Sequence, residues 1–421
     1  MIARVSPRAH ILLALVSVAV ALAYVALVPA GQPYDEPAHW SNVEYYAHQE
    51  RMPELGRAGV SYEAQQGPVY YALAAAIARP TAAMFDDKAA FYAVRIAGTL
   101  LVGAAVLLTF ALSILLVPRQ RGVALMAAAF VGLNPFFLAV GASVQNDYLA
   151  LVLALVAALL AVRTLQSSQS SWTTWLIIGV LTGVATLTKL FAVGLLGGLG
   201  VAALCSTPRE SGQRLRGFGL AALGFVAVSG WWFVRNIVLY GDLTARSGLE
   251  AAGIRYPPLP YNGLSSIGSW IRSLVAYVWV PTEYFRNVFR APGVMRAVVI
   301  IITVGIALAT AVGAREVLSN HRPLRSSAHG IAVVFLASWF GITFATYAVM
   351  TWAWTSFSLR LVYVAFPAAI VLVCASCGAA MRSLRLRSAT AAGIIAVLLL
   401  ISVFVLVKVN QIGRMPFQIH F

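Results

Sequence analysis

GPVYYALAAAIARPTAAMF, residues 67 to 85, decides how this chain is threaded. The run is long enough to cross a bilayer, but Arg79 and Pro80 break it near the middle. An Arg at mid-bilayer costs about 2.5–3.5 kcal/mol on insertion scales, and Pro removes a backbone donor. The uninterrupted part, Pro68 to Ala78, is too short to span a hydrocarbon core about 30 Å thick. Outward from this segment, apolar runs lie at about 9–30, 91–117, 122–143, 147–165, 172–188, 189–205, 217–240, 293–314, 330–351, 361–380 and 389–409. If 67–85 does not cross, five loops fall on the cytoplasmic side. They carry Arg119 and Arg121; Arg163; Arg209, Arg214 and Arg216; Arg315, Arg322 and Arg325; and Arg382, Arg385 and Arg387. If it does cross, all five flip outward, against the positive-inside rule. The segment therefore reads as a juxtamembrane or re-entrant helix with Pro68 in its first turn.

Composition agrees. The chain is 60% hydrophobic and only 10% charged, with a mean hydropathy of +0.83. Membrane spans must satisfy their own backbone hydrogen bonds, and no alternating ten-residue segments suggest a barrel. The expected fold is an all-α integral membrane protein of about eleven spans, one polytopic domain over residues 1–421. The net charge of +16 does not imply nucleic acid, because the basic residues sit mostly in short loops, where they set topology and meet anionic lipid. The first run is long for a signal peptide and lacks an obvious cleavage site. It reads as the first span, with Arg4 and Arg8 keeping the N-terminus cytoplasmic. Cys374 and Cys377 lie in an apolar span without the further ligands a zinc site needs, so they read as packing residues, as does Cys205.

Two long outer loops follow, at 31–90 and 241–292. The first opens with PYDEPAHW, residues 33–40. Asp35 can cap a helix that begins with Glu36 and Pro37. Trp40, Val43 and Ala47 recur at helical spacing with Tyr46 beside them, while His39, Glu44 and His48 fall on more polar faces. That pattern fits a helix lying on the membrane. Capping alone would explain Asp35 and Glu36. It would not explain Glu63, Gln65 and Gln66, which the same loop adds just before GPVYY. Carboxylates between a dry bilayer and water suit general-base work, since burial and like-charged neighbours raise their pKa.

An acidic pair after the first span, followed by a Glu-x-x-Gln-Pro-Pro-Leu-Tyr-Tyr-like stretch, resembles the GT-C glycosyltransferases. These multi-span enzymes use polyprenyl-phosphate sugars; protein O-mannosyltransferases and aminoarabinose transferases of lipid A are among them. The matching residues are Asp35, Glu36, Pro37, His39, Glu63, Gln65, Gln66, Pro68, Tyr70 and Tyr71, with Gly67 in place of the first Pro. Asp147, in NPFFLAVGASVQNDYLALVLA (134–154), resembles the family's second acidic residue; its alternative reading is a helix cap. Lys189, in LTKLF (187–191), resembles a lysine that meets the lipid phosphate; its alternative is a snorkelling side chain. Arg235, in GWWFVRNIVLYGD (230–242), and Arg360, in SLRLVYVAFP (358–367), resemble arginines near the outer face, the second without the Gly and Tyr usual there.

The resemblance implies an inverting transfer of sugar from a polyprenyl-phosphate donor to a cell-envelope glycan, lipid or protein acceptor at the outer face of the cytoplasmic membrane. It implies Asp35 as general base, with Glu36 and Asp147 in the catalytic set. His39, Glu63, Gln65, Gln66, Tyr70, Lys189, Arg235 and Arg360 are then the substrate-binding candidates. No organic cofactor is expected. Asp35, Glu36, His39 and Asp147 would offer a divalent metal hard ligands, but the expectation is a site that works with none. A lipid or lipid-linked-sugar transporter, a polysaccharide polymerase or ligase, and a non-catalytic lipid-sugar binder remain the rivals. A transporter would more often show repeats of interrupted helices.

Overall fold

The computed structural model describes residues 6, 8–32, 35–49, 51–167, 171–254, 264–279, 303–313, 315, 327–353, 359–381 and 383–412. Among them the regular structure is helical. Helix α1 spans Ala9–Leu27. The connection from α1 to α4 then forms α2 (Glu36–His48), a 3-10 turn at Tyr62–Gln65 and α3 (Val69–Met84). Next come α4 (Asp87–Leu116), α5 (Arg121–Leu133), α6 (Pro135–Gly141) and α7 (Asp147–Gln166). The middle of the chain holds α8 (Trp172–Thr186), α9 (Gly194–Leu204), α10 (Pro208–Tyr240), α11 (Arg246–Ala251) and α12 (Leu264–Trp279). After α13 (Thr303–Gly313), the C-terminal part consists of α14 (Ala328–Ala353), a 3-10 stretch at Leu359–Ala365, α15 (Phe366–Ala380) and α16 (Leu384–Ile412).

The protein is a multi-pass membrane protein. Among the described residues, seven helices are long and apolar enough to cross, and the bent pair α5–α6, with 54° between its halves, is an eighth when counted as one span. The expected count of eleven is not confirmed. Three of the eleven runs correspond to α8, α9 and α13, apolar helices shorter than a full crossing. Part of the run at 293–314 lies outside the described residues. The segment at 67–85 forms α3, with Pro80 inside it, and is not among the span candidates. It lies on α2 and α4, burying Tyr70, Tyr71, Ala74, Ala75 and Ala78.

Lipid tails are as apolar as Leu, so small residues that let backbones approach do much of the work of helix packing. A Cβ on Gly179 of α8 would stand 1.9 Å from the Ala221 carbonyl oxygen of α10. On Gly198 of α9 it would stand 2.8 Å from the Trp339 amide nitrogen of α14. Large apolar side chains such as Leu12, Leu100, Val238 and Leu400 point outward, as a lipid-facing belt requires.

Candidate active site

Five chain segments meet at one end of the bundle: the α1–α2 connection, the 3-10 turn before α3, the start of α7, the α8–α9 break and the 3-10 stretch before α15. Asp35 sits at the N-cap position of α2, but its side chain caps nothing. The Tyr62 hydroxyl donates to Asp35 Oδ1 at 2.7 Å, and Arg360 Nη2 donates to Oδ2 at 2.7 Å. Asp147 opens α7 without a capping bond from Asn146. Its Oδ1 takes Lys189 Nζ, and its Oδ2 lies 3.8 Å from Arg360 Nε. Lys189 is 3% exposed, so it does not snorkel. Two acids and two bases thus alternate as Asp35, Arg360, Asp147 and Lys189. Beside them, Asp147 Oδ2, Asn146 Oδ1 and both side-chain polar atoms of Gln145 are buried without a hydrogen-bond partner. Such atoms are rare in native interiors and mark places where a ligand or water is received.

Burial pushes the Asp35 carboxyl up. The Arg360 guanidinium, His39 and the Tyr62 hydroxyl outweigh it, and hold Asp35 below its usual range.

Glu36 has different surroundings. Arg95 of α4 grips it through Nε at 2.8 Å and Nη2 at 2.5 Å. The Val144 amide donates to Oε1 at 2.8 Å and the Gly31 amide to Oε2 at 2.9 Å. Arg95 also donates to the carbonyls of Val28, Pro29 and Gln32, which follow α1. The pair thus ties the stretch after α1 to α2, α4 and the α6–α7 connection. Nothing on Glu36 is left to meet a substrate. The sequence reading missed this role for Arg95, although a lone Arg in an apolar span signals one by default.

His39 does not lie on a polar face of α2, as the spacing predicted; it is 1% exposed. Its Nδ1 is 2.8 Å from the Tyr71 hydroxyl, and its Nε2 is 3.7 Å from Glu63 Oε1. The Tyr71 hydroxyl donates to Glu63 Oε2 at 3.4 Å. Burial and the Arg360 charge push His39 down to about 3. Burial and the Asp35 charge push Glu63 up to about 8. Tyr70 is buried, with its hydroxyl on the Gln145 backbone. Gln65 and Gln66 are half-buried at the end of the 3-10 turn. Arg235 stands apart: it donates to the Pro53 carbonyl at 2.6 Å and lies 4.9 Å over the Trp232 ring.

Gly67 is explained locally. A Cβ there would stand 2.1 Å from the Leu187 carbonyl oxygen, which accepts from the Val69 amide at 3.3 Å. The turn carrying Glu63 is thereby seated directly on the break that carries Lys189.

An apolar cavity of about 380 Å³ lies below, lined by Phe130, Trp279, Ile306, Phe366, Val373 and Ile394. A second, of about 260 Å³, shares Trp279 and Phe366 and reaches Leu359, the neighbour of Arg360. Cys374 and Cys377 line the first and are free thiols. A divalent cation does not fit the pairing found here. Asp35, Glu36 and Asp147 each hold a cationic side chain, and no three His, Cys, Asp or Glu converge among the described residues.

A family model described as dolichyl-phosphate-mannose-protein mannosyltransferase matches residues 68–233. No curated protein matches the sequence. Among solved structures, ArnT from Cupriavidus metallidurans bound to undecaprenyl phosphate aligns with a TM-score of 0.54 at 14% identity, over 87% of this chain and 59% of that one. The Archaeoglobus fulgidus oligosaccharyltransferase complex with Zn and sulfate aligns with a TM-score of 0.54 at 12% identity, over 95% of this chain and 52% of that one. Its apo form gives a TM-score of 0.55 at 13% identity, over 96% and 56%. The chain thus spans little more than half the length of these enzymes. It shares their membrane fold.

Proposed function

We propose that this protein is an inverting glycosyltransferase that moves a sugar from a polyprenyl-phosphate donor to a hydroxyl acceptor at the outer face of the cytoplasmic membrane. The observation that carries this reading is the buried cluster of alternating charge, Asp35, Arg360, Asp147 and Lys189, with unpartnered polar atoms beside it and an apolar cavity that reaches Leu359, next to Arg360 in the chain. A lipid phosphate is an anionic head on an apolar tail, and the cluster and cavity offer one partner for each.

The donor tail lies in the apolar cavities between α5, α12, α13, α15 and α16. Its phosphate takes up Arg360, which can hold two oxygens at once, with Lys189 as second cation. Asp35 then loses its main cationic partner and returns toward ordinary basicity. It accepts the acceptor hydroxyl proton as that oxygen bonds to the anomeric carbon from the side opposite the phosphate. The carbon–oxygen bond to phosphate breaks, and its electron pair leaves with the polyprenyl phosphate. Arg360 and Lys189 stabilise the charge that builds there. Asp147 holds both cations in register, and Glu36 positions Asp35 through the stretch after α1. Arg235 serves the acceptor side, since its contacts lie away from the cluster. The mechanism uses no metal.

Purified protein in lipid, given radiolabelled polyprenyl-monophosphate sugars and a membrane extract as acceptor source, tests this. Wild type should transfer label and folded Asp35→Asn should not. Equal transfer by both would remove Asp35 as base. Donor translocation without transfer would instead make the protein a transporter.

A further inference from the structure

We propose that Glu63 works as a neutral, protonated acid, kept so by His39 and Tyr71, and that this neutrality sets the site's affinity for the anionic donor. The inference rests on the function proposed above and adds positioning roles for Glu63, His39 and Tyr71.

The three side chains lie almost fully buried, at 4%, 1% and 0% exposure, and a neutral Glu63 satisfies all of their contacts with one proton arrangement. A phenol has one proton to give. The Tyr71 hydroxyl donates it to Glu63 Oε2. With that proton committed, the same oxygen is free to accept from His39 Nδ1 at 2.8 Å, which assigns the imidazole proton to Nδ1 in this arrangement. A neutral His then has a bare lone pair on Nε2. That nitrogen has no hydrogen-bond partner and faces Glu63 Oε1 at 3.7 Å. A lone pair facing a carboxylate oxygen is repulsive unless a proton stands between them. The proton belongs on Glu63, because an imidazolium here would sit in a dry site near two cations. The pKa directions agree: Glu63 is pushed up to about 8 and His39 down to about 3.

Charge accounting gives the purpose. The ionisable groups acting on Glu63 from the packed elements are Asp35, His39, Tyr71, Arg360, Lys189 and Asp147. With His39 and Tyr71 neutral, two carboxylates balance two cations. An ionised Glu63 would leave the site one charge negative and oppose the incoming phosphate. The sequence alone reads Glu63 as one more acid; the fold makes it a hydrogen-bond donor.

The test compares wild type, Glu63→Gln and Asp35→Asn in lipid nanodiscs. The first readout is binding of polyprenyl monophosphate from pH 6 to pH 10. Wild-type binding should weaken about tenfold between pH 7 and pH 9, as one group ionises with a pKa near 8. Glu63→Gln, a neutral mimic of the acid, should bind with a flat profile between pH 7 and pH 9. Asp35→Asn should keep the wild-type slope. The second readout is the infrared carbonyl band of a protonated carboxyl group at pH 7, present in wild type and absent in Glu63→Gln. The third is donor KM, whose alkaline rise should be present in wild type and absent in Glu63→Gln. A missing carboxyl band in folded wild type, or parallel binding profiles in wild type and Glu63→Gln, would overturn the proposal. If wild type binds the lipid and shows the band but transfers no sugar, the glycosyltransferase reading fails while the protonation state stands.

Discussion

Asp35 and Glu36 are neighbours in sequence, both carboxylates, both paired with an arginine, and the fold uses them in opposite ways. Glu36 is sealed. Its two oxygens take two bonds from Arg95 and two from backbone amides, and neither partner has any side-chain exposure. Asp35 holds Arg360 and the Tyr62 hydroxyl at a partly open edge, with 21% of its side chain exposed. A buried ion pair stabilises a fold only if its remaining lone pairs and protons are satisfied. The Glu36–Arg95 pair meets that condition and acts as a strut. The Asp35–Arg360 pair borders unpartnered atoms and can be exchanged for a ligand.

The comparison breaks most easily at the strut. Arg95→Met should cost about 3–5 kcal/mol, because it leaves a buried carboxylate without its cation. Little folded protein should survive extraction, as judged by size-exclusion profile and thermal midpoint. A variant that folds normally would mean the two pairs are not different in kind. Asp35→Asn should leave the midpoint close to wild type while lowering turnover by about 10²- to 10⁴-fold, the usual share of a general base.

Titration sharpens the same contrast. Asp35 is held below its ordinary value of 3.8 in the free protein. Its contribution to stability is present above that value and is lost as pH falls through the lower folded one. The acid limb of kcat/KM, which reports free enzyme, should therefore lie below pH 3.8. The limb of kcat, which reports the donor complex with Arg360 on phosphate, should lie higher. Coincident limbs would show that Arg360 stays on Asp35 throughout. A smaller effect is expected from Gly67→Ala, whose Cβ would meet the Leu187 carbonyl oxygen. Overpacking of this kind costs about 1–3 kcal/mol, and a lowered thermal midpoint should come with weaker donor binding. The smallest effect is none: chelation should leave turnover unchanged, because each carboxylate of the cluster is held by a cationic side chain.

Sequence made the helical class, the α3 segment and the acidic loop legible, because hydropathy and the cost of Arg79 and Pro80 in lipid are local properties. The number of crossings was less legible. A run such as 172–188 followed at once by 189–205 reads as two spans by composition, yet α8 and α9 are short helices joined by a 3-10 turn. Of the expected site residues, the structure brings together Asp35, Asp147, Lys189 and Arg360, with His39 and Glu63 alongside. Glu36 and Arg235 have structural contacts instead. That division could not be read from spacing. Whether a carboxylate is sealed or open depends on Arg95 and Arg360, which lie 59 and 325 positions away. His39 was misplaced for a related reason. Helical periodicity describes one helix against water, whereas α2 is covered by both α3 and the 3-10 turn.

The separation between Asp35 and Arg360 has a consequence for biogenesis. Membrane chains are made from the N-terminus, and early segments settle before later ones exist. Glu36 finds Arg95 after 59 residues and Asp147 finds Lys189 after 42, so the first half of the chain can neutralise both of these acids. Asp35 has no such early companion and stays hydrated until the segment before α15 emerges. Docking of Arg360 is then a late act of assembly, and a chain stalled short of it leaves Asp35 without its cationic partner.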